Sequence, residues 1–251
     1  MSDSRDRLGG GGQGLATAVD GRMLASVAAA LILAIGWLSG PGAIGTEGAA
    51  AWAQGAVPAQ IEVWPRGAGE GDPGKRLPSG ITEAIKKTVP SGARVEQYLF
   101  VKLEDATLLV GVDPVNAPAR TLRGTFRPKL VAGRSLRVDD REKTAAVVGR
   151  QYAESHKTAA GYKISEMVYP GHTPGLMLGK TRVEVVGIFE GGSADADQLV
   201  IVPLALAQTL GDAPEAASLI TVTVRSAADA EALKKTLEAQ LKDKVDVRVR
   251  K

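Results

Sequence analysis

The chain has 251 residues, of which 44% are hydrophobic, and a formal net charge of +3, which is enough apolar material to bury one sizeable core or two small ones. With 31 Lys and Arg against 28 Asp and Glu, and only 4% aromatic residues, it carries neither a basic stripe nor a stacking platform, and nucleic-acid binding is excluded as a reading. Cysteine is absent, and the two histidines, His156 and His172, stand in no metal-ligand spacing, so thiolate chemistry, disulfides and a catalytic metal are all without candidates.

Residues 1–22 form a Gly-rich lead containing Arg5 and Arg7 and ending in Arg22. Met23 to Leu38 follow without a charge, and the next base is Arg66. The positive-inside rule then keeps the lead cytoplasmic and sends the remainder across the membrane. A transmembrane segment over 23–39 and a linker over 40–58 are expected, with Gly40-Pro41-Gly42 ending the helix. Ala51-Trp52-Ala53 before Gln54 has the form of a cleavage site but lies about fifteen residues beyond the apolar run, so a retained anchor is preferred over a released protein.

Residues 59–65, AQIEVWP, read as a short strand ending at Pro65, and 66–78 as a Gly/Pro-rich loop. Ser79 is expected to cap a helix to about Thr88, where Ile81, Ala84, Ile85 and Val89 share a face and Pro90-Ser91-Gly92 stops it. Strands are expected over 94–103 and 107–112, the second apolar enough to be central. At the far end, 219–224 reads as a strand, 227–242 as a helix capped by Ser226, and 245–249 as a closing strand. Together the two ends make a ferredoxin-like split β-α-β unit, an α+β fold, from 59–112 and 218–251, with 113–217 as an inserted α/β subdomain.

Within the insertion, strands are expected at 144–148, 182–189 and 198–202, and helices at 150–157 and 204–210. Gly175 to Thr181 has glycines three residues apart where a phosphate loop needs four, and a strand follows it, so it reads as a β-turn. Asp195 and Asp197 read as a solvated loop, because Ca²⁺ needs more oxygen ligands than they supply. Asp139, Asp140 and Glu142, interleaved with Arg137, Arg141 and Lys143, read as a mixed-charge surface turn. Glu154, Ser155 and His156 contain the letters of a hydrolase site, but neighbours on a helix point in different directions. His172 falls in a turn. No catalytic, cofactor-binding or metal-binding residue is expected. Core packing is the commoner role for apolar residues singly, but the excursion from Tyr169 to Leu178 and the loop from Gly191 to Asp197 are candidate contact surfaces, with Tyr169, Leu176, Met177 and Leu178 as the partner-contact candidates.

The order of these pieces resembles the periplasmic core domain of MacB-like ABC transporter permeases, the group that includes lipoprotein-release permeases and is related to FtsX-type proteins. The resemblance is carried by Met23 to Leu38, the IEVWP strand, GVDP at Gly111 to Pro114, AGR at Ala132 to Arg134, AAVVG at Ala145 to Gly149, VEVVGIF at Val183 to Phe189, VIVPL at Val200 to Leu204, and LITVTV at Leu219 to Val224 with its Glu/Lys-rich helix.

The resemblance implies a porter-like subdomain from the two ends, a non-catalytic role, and an inner-membrane location with the N-terminus cytoplasmic and the main domain periplasmic. It also implies partners: an ABC ATPase and a multi-span permease, and beyond them a periplasmic adaptor or a lipophilic substrate. The chain ends at Lys251 without a second apolar run, which leads to the expectation of a split permease piece, an accessory subunit, a truncated permease or a domain that has left transport. The alternative is a secreted carrier, released after Ala53, that binds a hydrophobic small molecule.

Overall fold

A computed structural model describes residues 58–68, 72, 74–113, 129–158 and 160–250. The expected lead, the membrane segment and all but the last residue of the linker lie outside the described residues, as does Pro114. Among the described residues no helix is long and apolar enough to cross a membrane.

Ten strands form one sheet: β1 Ala59–Pro65, β2 Arg94–Lys102, β3 Leu108–Val112, β4 Lys129–Gly133, β5 Ala145–Gly149, β6 Gly175–Leu178, β7 Thr181–Glu190, β8 Val200–Pro203, β9 Leu219–Val224 and β10 Val245–Arg250. Among the described residues five α-helices accompany them: α1 Ile81–Thr88, α2 Arg150–Ser155, α3 Ile164–Met167, α4 Leu204–Leu210 and α5 Ala227–Leu241. The strand order is β10-β1-β9-β2-β3-β8-β5-β7-β4, with β6 also paired to β7.

The first four positions interleave two β-α-β units, β1-α1-β2 and β9-α5-β10, so that every neighbouring pair is antiparallel. Gln60 lies opposite Arg250, which brings the start of β1 and the end of β10 to the same end of the sheet. From β2 the sheet continues without interruption: the β2–β3 hairpin leads to a parallel β3–β8 pair and then to β5, β7 and β4.

Side-chain alternation sorts the core. On one face Ile61, Val63, Ile220 and Val222 pack under α1 and α5, where Ile85, Leu233 and Leu237 are buried. The same face continues through Leu99, Leu109, Val148, Val200 and Val202 under α2, α3 and α4. Each buried Leu or Ile contributes about 1.5–3 kcal/mol relative to exposure. The opposite face carries Trp64, Tyr98, Phe100, Val110, Val147, Phe189 and Ile201, with Leu136, Ala196 and Leu199 packed against them. Trp64 and Phe100 stack there with centroids 6.2 Å apart. Toward β9 that face turns polar and stays buried at Glu62, Thr221 and Glu96; the Trp64 indole donates to Glu62 at 3.2 Å, and Arg250 pairs with the same carboxylate.

Several boundaries differ from expectation for local reasons. Helix α1 is preceded by Gly80 at φ 78, with no side-chain cap, so Ser79 does not serve as the N-cap. Ser226 does cap α5, accepting from the Asp229 N–H at 3.1 Å. Strands β4 and β6 and helix α3 were not anticipated; each is five residues or shorter and offers little periodicity to read.

Candidate partner-contact surface

The outer side of β7 is lined by two short pieces of chain. Strand β6 pairs with its first half, from Leu178 opposite Thr181 to Gly175 opposite Glu184. Strand β4 pairs with its second half, from Gly133 opposite Gly187 to Lys129 opposite Glu190, with a bulge between Leu130 and Ala132. Between them, Pro174 accepts from the Val185 N–H and Val186 from the Arg134 N–H. The bulge exposes the consecutive pair Leu130 and Val131. A bulge and a lysine also blunt an edge strand against pairing with another chain.

Three of the four contact candidates lie on β6 and divide by strand alternation, while Tyr169 stands in the turn before it. Leu176 and Leu178 point inward and are fully buried with Val183 and Val185, which removes them from any surface. Met177 and Tyr169 point outward, 46% and 51% exposed. Tyr169 stacks on His172 at 4.8 Å, and the His172 ring nitrogen Nδ1 meets the Met167 carbonyl at 2.7 Å, so His172 supports the displayed tyrosine. The expected β-turn is the tight connection at Gly179-Lys180 of the β6–β7 hairpin, with Gly179 at φ 58.

Where β4 leaves the sheet, Gly133 adopts φ 68, and a Cβ there would stand 2.2 Å from the Val186 carbonyl. Gly187, opposite, is equally confined by the Arg134 carbonyl. The Arg134 guanidinium then folds onto Asp140, donating to both carboxylate oxygens, Nη2 to Oδ1 at 3.0 Å. The Arg137 N–H donates to Oδ2 at 2.8 Å. Asp140 is 1% exposed, so the expected surface turn is in fact built around a buried carboxylate. Burial pushes its pKa up, but the hydrogen bonds from Arg134 and Arg137 and the charges of Arg134 and Lys143 outweigh that and hold it below the usual carboxylate range. The sequence signal was the AGR run, whose glycine and arginine each have a distinct structural task.

The expectation that Asp197 is merely solvated also needs correction. Its Oδ1 accepts from the Gly191 N–H, and its own N–H donates to the Ser193 carbonyl. Burial, then the neighbouring Glu190 and Glu154 charges, raise its pKa against the opposing pull of Gly191 and Arg150. Ser155 and His156, read as diverging, do meet, because His156 lies just past the helix: Ser155 Oγ stands 3.0 Å from Nδ1. The hydroxyl is also within reach of the Gln151 and Tyr152 carbonyls, which is the ordinary bonding of a serine at a helix C-terminus. His156 stacks flat on Tyr152 at 3.7 Å. The same Nδ1 also meets the Tyr152 carbonyl at 3.0 Å, so the arrangement fastens the end of α2. Among the described residues no cluster of three His, Asp or Glu can hold a metal ion.

The MacB-like periplasmic core domain family matches residues 26–240. The chain belongs to that family. Of the MacB-like pieces quoted from the sequence, AAVVG is β5, VEVVGIF lies in β7 and LITVTV is β9. The structure is similar to the periplasmic region of MacB from Actinobacillus actinomycetemcomitans, with TM-score 0.50 and 15% identity over 76% of this chain and 87% of that one. At that identity the likeness is one of fold. The extracellular domain of the noncanonic ABC-type transporter YknZ from Gram-positive bacteria also matches, with TM-score 0.46 and 16% identity over 75% of this chain and 99% of that one. Among curated proteins none matches this sequence.

Proposed function

We propose that this MacB-like chain is the extracytoplasmic, non-catalytic domain of an ABC transporter permease or of an accessory subunit, and that it works by contact with substrate or partner proteins in export or envelope maintenance. The observation that carries this reading is the family match across 26–240. Residues 23–39 serve as its membrane anchor, with the lead cytoplasmic and the domain periplasmic. A separate ATPase and a multi-span permease supply energy and path; a periplasmic adaptor or a lipophilic substrate is what the domain meets. The pairing of Gln60 with Arg250 supports this, since a folded unit whose first and last strands meet at one end of the sheet suits suspension from a membrane. Residues 59–112 and 218–251 act as the porter-like subdomain, and 113–217 as the inserted one. Of the candidate contacts, Tyr169 and Met177 are those available to a partner.

The test is membrane fractionation of the full-length chain with an alkaline carbonate wash and N-terminal sequencing, followed by crosslinking from a photoreactive residue at position 177. Integral protein with an intact N-terminus, crosslinked to transporter subunits, is the expected result. Soluble protein beginning at Gln54 overturns the anchored reading in favour of a secreted carrier of a hydrophobic small molecule.

A further inference from the structure

Helix α2 is followed by a tight turn in which Lys157 and Lys163 lie opposite one another in an isolated antiparallel bridge. The turn is closed by Thr158 N–H to the Tyr162 carbonyl at 2.8 Å and Gly161 N–H to the Thr158 carbonyl at 2.9 Å. Directly opposed residues of such a pair have Cα atoms about 5 Å apart, and like charges in that position are destabilising. Both lysines are exposed, and among the described residues neither forms an ion pair. The nearest acids in sequence do not relieve them: Glu154 is held by Arg150 at 2.9 Å, and no ion pair joins Glu166 to Lys163. Between the lysines Tyr162 is 58% exposed, the most exposed large hydrophobic side chain among the described residues.

The turn thus concentrates two uncompensated cations and a displayed aromatic ring at a cost to the fold. We propose that it docks an acidic segment of a partner protein, with Tyr162 as the aromatic anchor and Lys157 and Lys163 as the charges that select an anionic partner. Its place favours a protein over a bilayer. Tyr152 is buried in one cluster with Val101 and Leu109, which flank the β2–β3 turn; the Tyr152 ring stacks on His156, and the His156 carbonyl accepts from the Ile164 N–H at the base of the Lys157–Lys163 turn. The β2–β3 turn stands at the opposite end of the nine-residue β2 from Arg94, which pairs with Thr223 at the end where β1 begins and β10 finishes. That is a separation of about 27 Å at strand spacing. The orientation rests on the membrane-anchored reading above, in which the β1 and β10 ends face the bilayer and this turn faces away.

The experiment measures binding of fluorescein-labelled poly-L-glutamate to the full-length chain in detergent micelles, alongside thermal unfolding. The expected result for the double reversal K157E/K163E is a loss of binding of about tenfold or more, from about threefold to fivefold per charge, with a melting temperature unchanged or raised. The variant Y162A is expected to weaken binding without altering the melting temperature. The control K235E/K244E, which changes net charge equally at exposed positions elsewhere, should leave most of the binding intact. Equal losses from control and test variants, or a melting temperature lowered by K157E/K163E, would overturn the proposal. So would lysine-dependent binding to phosphatidylglycerol vesicles with none to poly-L-glutamate, which would make the partner a lipid surface. A soluble, cleaved chain that still binds poly-L-glutamate through these lysines would fail the anchored reading alone and leave the docking turn standing.

Discussion

Arg134 and Asp140 are joined through both carboxylate oxygens, six residues apart in sequence and across the turn that follows β4. The pair is asymmetric: the arginine side chain keeps 34% of its exposure while the carboxylate keeps 1%. Removing the arginine therefore strands a buried charge, whereas removing the acid releases a cation that can reach water. We expect Arg134→Ala to cost about 3 kcal/mol, and Asp140→Asn, which retains an acceptor for the Arg137 N–H, to cost less. Because the folded pKa of Asp140 lies below its unfolded value, the pair's contribution is fully present above the unfolded carboxylate range, near pH 4, and is lost as pH falls through the depressed folded value. Urea unfolding of wild type and Asp140→Asn between pH 2 and pH 7, pH values set about that carboxylate range, would show the two curves converging in acid; parallel curves would refute the assignment.

Gly133 and Gly171 separate two reasons for needing glycine. Both have positive φ, 68 and 84, but a Cβ at Gly133 would overlap the Val186 carbonyl at 2.2 Å while one at Gly171 meets nothing within 4 Å. Gly171→Ala should cost only the left-handed backbone penalty, about 1–2 kcal/mol. Gly133→Ala must in addition push β4 from β7, and we expect it to lose roughly twice as much or to fail to fold. Differential scanning calorimetry of the two variants decides the matter, and equal shifts would show that close approach to Val186 is unimportant.

The strands inside the sheet are the most legible from sequence. LITVTV, VEVVGIF and AAVVG are central strands and show it as nearly unbroken apolar runs. Helices α4 and α5 carry their own stop and start signals in Gly211 and Ser226. Strand β4 was illegible because it is short and mostly exposed, and among the described residues it pairs only with β7, more than fifty residues later. The burial of Asp140 was hidden for a related reason: its acid neighbours look like surface, and nothing in the local spacing reveals that Arg134 folds back over it. At the candidate contact surface the sequence offers the residues but not their directions. Leu176, Met177 and Leu178 read alike as apolar until β6 is known to be a strand, after which alternation separates them.

Asp197 offers the opposite pH behaviour. Its folded pKa is raised, by burial first and then by the Glu190 and Glu154 charges, so the ionised form carries a penalty at neutral pH that is relieved as pH falls through the folded value. Asp197→Asn keeps an acceptor for the Gly191 N–H and removes the charge; Arg150 retains Glu154 and Glu190. We expect the variant to be as stable as wild type or slightly more so at pH 7 and to lose the advantage in mild acid. Thermal melts at both conditions check this, and destabilisation at neutral pH would mean that the attraction to Arg150 outweighs the cost of burial.

Met177 and Leu178 are adjacent, yet their substitutions should have separable consequences. Leu178 is fully buried among Ile164, Val183 and Val185, so Leu178→Ala removes core contacts and leaves a cavity, at about 2–5 kcal/mol. Met177 faces outward opposite Arg182, and Met177→Ala should change stability by less than about 0.5 kcal/mol. If the outer side of β6 is a contact surface, Met177→Ala, and still more Met177→Glu, will reduce crosslinking to transporter subunits while leaving the melting temperature unchanged; a parallel Tyr169→Ala tests the neighbouring residue. Unaltered crosslinking in both variants would remove this face from the interface, and a drop in melting temperature at Met177 would show that it packs rather than docks.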